Sequence, residues 1–279
     1  MKEKLRKYKE IILFTLDLII CILRNLFGKK IKKIKFKTST NVRKINILGN
    51  GPSGLETLYK REVLNTDLAT VNFFIKTDEF YLLKPKFHYL IDPLFFAENS
   101  IIKNEVIEII KKMEDFVDWK LNLLVMTSEI IEFKNKNIEV IYLKNNSLDY
   151  ENKIAFKLFE KNIATPYFIN VVIAAIYYSI NLGYSEISLH GVESDSFKDV
   201  IVDKNCNVLL EDRHFYGKKT INLTKEGRIP KGKLYKKIEC DYKMLYNYYI
   251  LEKYSKYKKV KIYNYCLNSM IDSFKKIED

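Results

Sequence analysis

A β-type run over 45–48 leads straight into Gly49-Asn50-Gly51-Pro52-Ser53-Gly54, and apolar residues at helical spacing follow over 55–64. Strand, glycine turn and helix in that order constrain this chain more than any other stretch of it. The glycines let other groups approach the backbone, and the first turn of a helix presents unpaired N–H groups and a positive dipole end. Gly49, Gly51 and Gly54 also satisfy the spacing G-x-G-x-x-G in its expected strand-to-helix context, which makes a flavin- or nicotinamide-dependent oxidoreductase one reading. That reading requires an acid about 20 residues further on, for the ribose hydroxyls. Asn72 stands there instead, and no second such loop appears later. A tight turn without a ligand is the plain alternative.

The remaining periodicities fit one architecture. β-type runs lie over 71–75, 87–91, 121–126, 138–143, 186–189 and 259–263. Helical spacing covers 104–116, a segment opened by Pro166 and stopped at Gly183, 240–254 and 269–275. Strands alternating with helices predict an α/β fold: one Rossmann-like domain over 38–279 whose mostly parallel sheet is covered on both faces.

Composition enters through its location. The net charge is +13, but residues 1–37 hold twelve Lys or Arg against three acids, leaving only +4 for the other 242 residues. A nucleic-acid-binding body would spread its basic footprint over the folded surface, so no nucleic-acid partner is expected. Within the basic segment, thirteen of the seventeen residues from 11 to 27 are apolar, with lysines on both sides. Seventeen is short for a bilayer span. Glu10, Asp17 and Arg24 recur every seven residues and share one helical face. An amphipathic, hydrophobic helix lying on a membrane surface through residues 1–37 fits this pattern. Packing on the domain or on a second subunit, as a homo-oligomer, is the competing reading; a signal peptide fits less well, because no small-residue cleavage site follows the run. Cys21, Cys206, Cys240 and Cys266 are far apart and form no C-x-x-C, which predicts reduced thiols rather than a disulfide framework or zinc site. A three-histidine metal site would need the distant His88, His190 and His214 to converge.

Six blocks, in order from about 44 to 274, resemble the bacterial sialyltransferases of glycosyltransferase family 42 and the related domain of flagellin-modifying nonulosonate transferases. Gly49-Asn50-Gly51-Pro52-Ser53 resembles the nucleotide loop. Val71-Asn72-Phe73-Phe74 resembles the second strand, where an asparagine reaches the nucleotide. The segment 87–96, centred on Asp92-Pro93, resembles the next strand and its nucleotide-facing turn. The segment 182–191 is similar to L-G-Y-x-E-I-x-L-x-G, Arg213-His214-Phe215-Tyr216-Gly217 to S-H-Y-x-G, and Cys266-Leu267-Asn268-Ser269 to C-P-N-S. Two departures stand out. Val192-Glu193-Ser194-Asp195 replaces the Ile-Asp and phosphate-contacting tyrosines after Gly191, and Leu267 replaces a proline.

The resemblance implies a GT-A-like variant of the Rossmann fold. It also implies inverting transfer of a sialic-acid-like sugar from a CMP-activated donor to a glycan or glycolipid hydroxyl, at the inner face of the cell membrane. His214 becomes the general base, since an imidazole near neutral pKa suits proton abstraction. Gly49, Asn50, Gly51, Pro52, Ser53, Asn72, Asp92, Thr165, Asn170, Gly191, Glu193, Tyr216, Asn268 and Ser269 become candidate donor contacts. A monophosphate leaving group can depart on backbone N–H groups and hydroxyls, so no cofactor and no metal are expected, although Glu193-Ser194-Asp195 imitates an E-x-D cation motif. A non-catalytic nucleotide-binding subunit of a glycan-assembly complex is the remaining alternative.

Overall fold

The computed structural model describes residues 2–27, 43–54, 56, 66–97, 102–127, 131–214 and 217–278. Eight parallel strands form one sheet: β1 (Lys44–Leu48), β2 (Asp67–Val71), β3 (Phe87–Leu90), β4 (Leu121–Val125), β5 (Ile138–Tyr142), β6 (Glu186–His190), β10 (Lys261–Asn264) and β11 (Lys275–Lys276). Their spatial order is β11-β10-β6-β1-β2-β3-β4-β5. The chain steps outward from β1 to β5, then returns to the other side of β1 to lay down β6. The strand order therefore reverses between β1 and β6, and in open α/β sheets ligands bind beyond the carboxyl ends of the strands at such a reversal.

Residues alternate between two apolar cores, as the twofold period of a strand requires. Ile45 and Ile47 face the first core with Ala69, Val71, Ile187 and Leu189. Helices α4 (Lys153–Glu160), α5 (Val171–Asn181) and α6 (Leu234–Tyr257) close that face. Leu48, Leu68, Leu90 and Leu123 face the second core, under the short helix α2 (Asp78–Leu83) and α3 (Lys103–Phe116). At the amino edge of the sheet, Asp67 collects three donors from three neighbouring segments: Lys86 Nζ at 2.8 Å, Arg43 Nη2 at 3.3 Å, and the Tyr184 hydroxyl. Burial alone would raise the Asp67 pKa, but these partners outweigh it and hold the carboxyl below its usual value. A separate antiparallel sheet, β7 (Val200–Val202), β8 (Val208–His214) and β9 (Gly217–Asn222), encloses a third, smaller apolar cluster.

Several expected boundaries move. β2 ends at Val71, and 72–76 is a 3-10 turn rather than strand. α5 starts at Val171, not Pro166, because Asn170 is the cap: its side chain accepts from Val172 N at 2.8 Å. No helix forms over 269–275, where a turn leads into β11. His214 closes a strand rather than sitting in a loop. The expected helix over 55–64, apart from Glu56, lies outside the described residues, as do residues 215–216 and 28–37 of the basic segment.

The N-terminal helix α1 (Lys2–Phe27) packs on the domain along a narrow stripe. Phe14 and Leu18 join the first core, and Cys21 is fully buried. The Asn146 amide donates to the Cys21 carbonyl at 2.9 Å, the Tyr150 hydroxyl to Asp17 at 2.7 Å, and Lys144 Nζ to the Arg24 carbonyl at 3.2 Å. The outward face carries Leu5, Ile12, Leu16, Ile19, Ile20, Leu23 and Phe27, all exposed. Among the described residues, no helix is long and apolar enough to cross a membrane.

Candidate functional site

The loop after β1 and the loop after β6 are locked together backbone to backbone. Gly49 N donates to the His190 carbonyl at 2.8 Å, and Gly51 N to the Gly191 carbonyl at 2.9 Å. Such contact leaves no room for side chains. A Cβ on Gly49 would stand 2.3 Å from the Gly191 oxygen, and one on Gly51 would stand 1.4 Å from Glu193 Oε2. Gly191 has φ +62, a left-handed conformation that glycine adopts at no steric cost. The glycine spacing thus serves contact with the chain's own β6 loop.

Glu193 sits over the glycine turn, 9% exposed. Its Oε1 accepts from Ser53 N at 2.8 Å, and its Oε2 is buried with no hydrogen-bond partner. A carboxylate of this chain therefore occupies an N–H group of the glycine turn that a dinucleotide pyrophosphate would use. Ser269 and Cys266 hold this carboxylate's backbone from behind. Ser269 Oγ donates to the Val192 carbonyl at 2.8 Å, Met270 N donates to the Glu193 carbonyl at 2.8 Å, and Val192 N donates to Cys266 Sγ at 2.9 Å. Ser53 Oγ also donates to Cys266 Sγ, at 3.2 Å. Burial, foremost, pushes the Cys266 thiol up to about 11, so it acts as a neutral packing group.

His214 reaches the same loop from the hairpin. Its Nδ1 lies 3.2 Å from the Asn50 carbonyl and its Nε2 lies 3.1 Å from Asp212 Oδ2. Both partners only accept, so making both bonds at once requires the doubly protonated ring. Burial lowers the His214 pKa, but the hydrogen bond and charge of Asp212, the Asn50 carbonyl and the charge of Glu193 together raise it above its ordinary value. Asp212 is correspondingly lowered by His214, against the opposing effect of burial.

Asn50 links this cluster to β2. Its Nδ2 donates to the Val71 carbonyl at 3.3 Å, and its Oδ1 is buried without a partner. The next residue, Asn72, takes φ 47 and also buries an unpartnered Oδ1. Asn72, Asp92 and Asn170 line one cleft of about 420 Å³ together with Ile91, Phe168 and Val171. Asp92 and Asn170 both cap helical turns there, through Leu94 N at 2.9 Å and Val172 N at 2.8 Å.

The expected residues thus fall into adjoining groups. Gly49, Asn50, Gly51, Ser53, Gly191, Glu193, Ser269 and His214 meet at the crossover, with Pro52 in the turn itself. Asn72, Asp92 and Asn170 share the neighbouring cleft. Thr165 is elsewhere: it is 2% exposed, and its Oγ1 accepts from Asn146 N at 3.1 Å beneath α1. Asn268 is exposed in the turn before Ser269, and Tyr216 lies outside the described residues. Asp212 and Cys266 are not among the expected site residues, though Asp212 immediately precedes the Arg213-His214 block and Cys266 opens the last one. Glu193 and Asp195 point to different partners, Ser53 N and Lys198 Nζ. Among the described residues, no group of three or more His, Cys, Asp or Glu is placed to hold a metal ion. His88 is fully buried, its Nδ1 2.8 Å from Thr70 Oγ1, and burial drives its pKa down to about 3.

No protein-family model matches the sequence, and no curated protein does. Among solved structures, the chain is similar to the MAf glycosyltransferase from Magnetospirillum magneticum AMB-1, with a TM-score of 0.49 and 14% identity. The match covers 92% of this chain and 37% of that one, so this chain spans well under half of that protein's length.

Proposed function

We propose that the chain is a glycosyltransferase that moves a nonulosonic acid from a CMP-activated donor to a sugar hydroxyl, with inversion. The observation that carries the reading is a set of three buried acceptor oxygens without partners, Asn50 Oδ1, Asn72 Oδ1 and Glu193 Oε2, around the crossover loop. Buried polar atoms normally find partners, so these call for a ligand rich in hydrogen-bond donors. Ribose hydroxyls and the cytosine amino group are such donors. A pyrophosphate is not, and the Glu193 carboxylate at Ser53 N repels one, which favours this reading over a flavin or nicotinamide enzyme. The six sequence blocks of the sialyltransferase type support the choice of CMP.

His214 is the proposed base, with Asp212 orienting it. In the neutral ring, Nε2–H keeps its bond to Asp212 while Nδ1 turns from the Asn50 carbonyl to accept the proton of the acceptor hydroxyl. The new bond forms from that oxygen to the anomeric carbon, the bond from that carbon to the phosphate oxygen breaks, and CMP leaves with the electron pair. The imidazolium that results is the state the resting geometry already stabilises. The other donor contacts proposed are those of the crossover loop and the cleft.

Donor turnover with purified protein tests this. Wild type is expected to release CMP from a CMP-nonulosonate, faster with a sugar acceptor, and His214→Ala to slow transfer by about 10²–10⁴-fold with CMP affinity nearly unchanged. Near-native transfer by a folded His214→Ala removes the base assignment. Absence of donor hydrolysis and transfer alike, with CMP bound, leaves a nucleotide-binding subunit in its place.

A further inference from the structure

Helix α1 packs on the domain through one narrow apolar stripe and leaves a second, broader apolar face uncovered. Asp17 is tied to Tyr150, and the stripe of Phe14, Leu18 and Cys21 is packed inward, while the face turned away from the protein is predominantly apolar, with Leu5, Ile12, Leu16, Ile19, Leu23 and Phe27 exposed around a single cation, Lys9. A helix stabilised only by its own domain would show water the opposite arrangement. At its carboxyl end a groove of about 530 Å³ runs between Leu23, Arg24 and Phe27 on the helix and Lys144, Asn145 and Asn146 on the domain. Arg24 and Lys144 converge there closely enough that both act on the Cys21 thiol, whose pKa is raised by burial and lowered in part by these two cations. Asn145 buries an Oδ1 without a partner beside them.

We infer that the outward face of α1 and this groove form a binding site for an anionic phospholipid bilayer, with acyl chains against Leu16, Ile20 and Leu23 and a headgroup phosphate between Arg24 and Lys144. Charge selects the occupant. Helix α1 carries six Lys or Arg against three acids, a net +3, and the groove adds Lys144, so pairing two copies of this face would bring like charges together, whereas an anionic surface neutralises them. The groove adds what an isolated amphipathic helix lacks: a cation supplied by the folded domain. Binding therefore depends on Lys144, more than 100 residues away in sequence, as well as on the helix. The site is independent of the proposed transfer reaction.

The test is co-sedimentation of the full chain with phosphatidylcholine vesicles, with and without phosphatidylglycerol. Wild type is expected to bind the mixed vesicles and hardly the neutral ones. One charge near an anionic surface is worth about fivefold in affinity, so the reversal Lys144→Glu should weaken mixed-vesicle binding by about 25-fold. Leu16→Glu combined with Ile20→Glu, both on exposed positions that leave the packing stripe intact, should abolish it at unchanged melting temperature. Equal binding to neutral and anionic vesicles overturns the inference, as does native binding by Lys144→Glu. A concentration-dependent dimer that ignores vesicles and is split by Leu16→Glu also overturns it, since a second copy would then cover the face.

Discussion

The contact between Gly51 and Glu193 sets a cost that can be worked from geometry. In Gly51→Ala the new methyl falls 1.4 Å from Glu193 Oε2 and 2.8 Å from the Gly191 carbonyl oxygen. The carboxylate must leave, which removes its bond from Ser53 N, and hydrogen bonds to charged groups are worth about 1.5–3 kcal/mol. The residual approach to the Gly191 backbone is an overpacking strain of about 1–3 kcal/mol. The single variant should therefore lose about 2.5–6 kcal/mol, a large part of the about 5–15 kcal/mol that holds a domain folded. Glu193→Ala alone loses only the hydrogen bond and its packing. In the double variant the worst clash is absent, so the two substitutions should cost less together than their sum, by about 1–3 kcal/mol. Urea unfolding of the four proteins measures that coupling. Additive losses would refute the account of why this loop carries glycine and restore the view that the space at Gly51 is kept for a ligand.

Two further outcomes follow from the charge networks. Asp67→Ala should cost about 2 kcal/mol, because Lys86, Arg43 and Tyr184 lose a shared, half-buried acceptor. Since the folded-state pKa of Asp67 is depressed, its contribution is present above the ordinary carboxylate value of about 3.9 and vanishes as pH falls through the folded value, so thermal melts of wild type and variant should converge in acid. Asp212→Asn should move the acid limb of the kcat/KM profile downward: His214 acts as base only when neutral, and Asp212 contributes the largest of the effects that raise its pKa against burial, so removing that carboxylate lowers it. The plateau should fall by about 10²-fold or more, through loss of the oriented neutral tautomer. A profile whose acid limb stays in place would separate His214 from the rate-limiting proton transfer.

Much of the frame was legible because it rests on local periodicity. The strands at 45–48, 121–125 and 138–142 and helix α3 declare themselves as short apolar runs or an amphipathic stripe. The small antiparallel sheet did not. β9 reads Gly-Lys-Lys-Thr-Ile-Asn and is exposed over its first four residues, so it offers no alternation to detect. Pro166 gave a false helix start because Thr165 beside it is held in a parallel bridge to Ser147, while Asn170 does the capping. Over 269–275, the Ser269 hydroxyl bonds to the carbonyls of Val192 and Glu193, which fixes a turn instead of starting a helix. At the site, the glycine loop and the histidine could be named from sequence. That Glu193 turns inward onto Ser53, and that Thr165 belongs under α1, depend on contacts between segments far apart in the chain.

Isothermal calorimetry of the purified protein with CMP, UDP, GDP, NAD and FAD tests the central claim most directly. The account predicts saturable binding of CMP, weakened at least tenfold by Glu193→Ala because a ribose hydroxyl then loses a buried charged acceptor. It predicts no comparable binding of the dinucleotides, whose pyrophosphate meets the Glu193 carboxylate. NAD or FAD binding more tightly than CMP would contradict it.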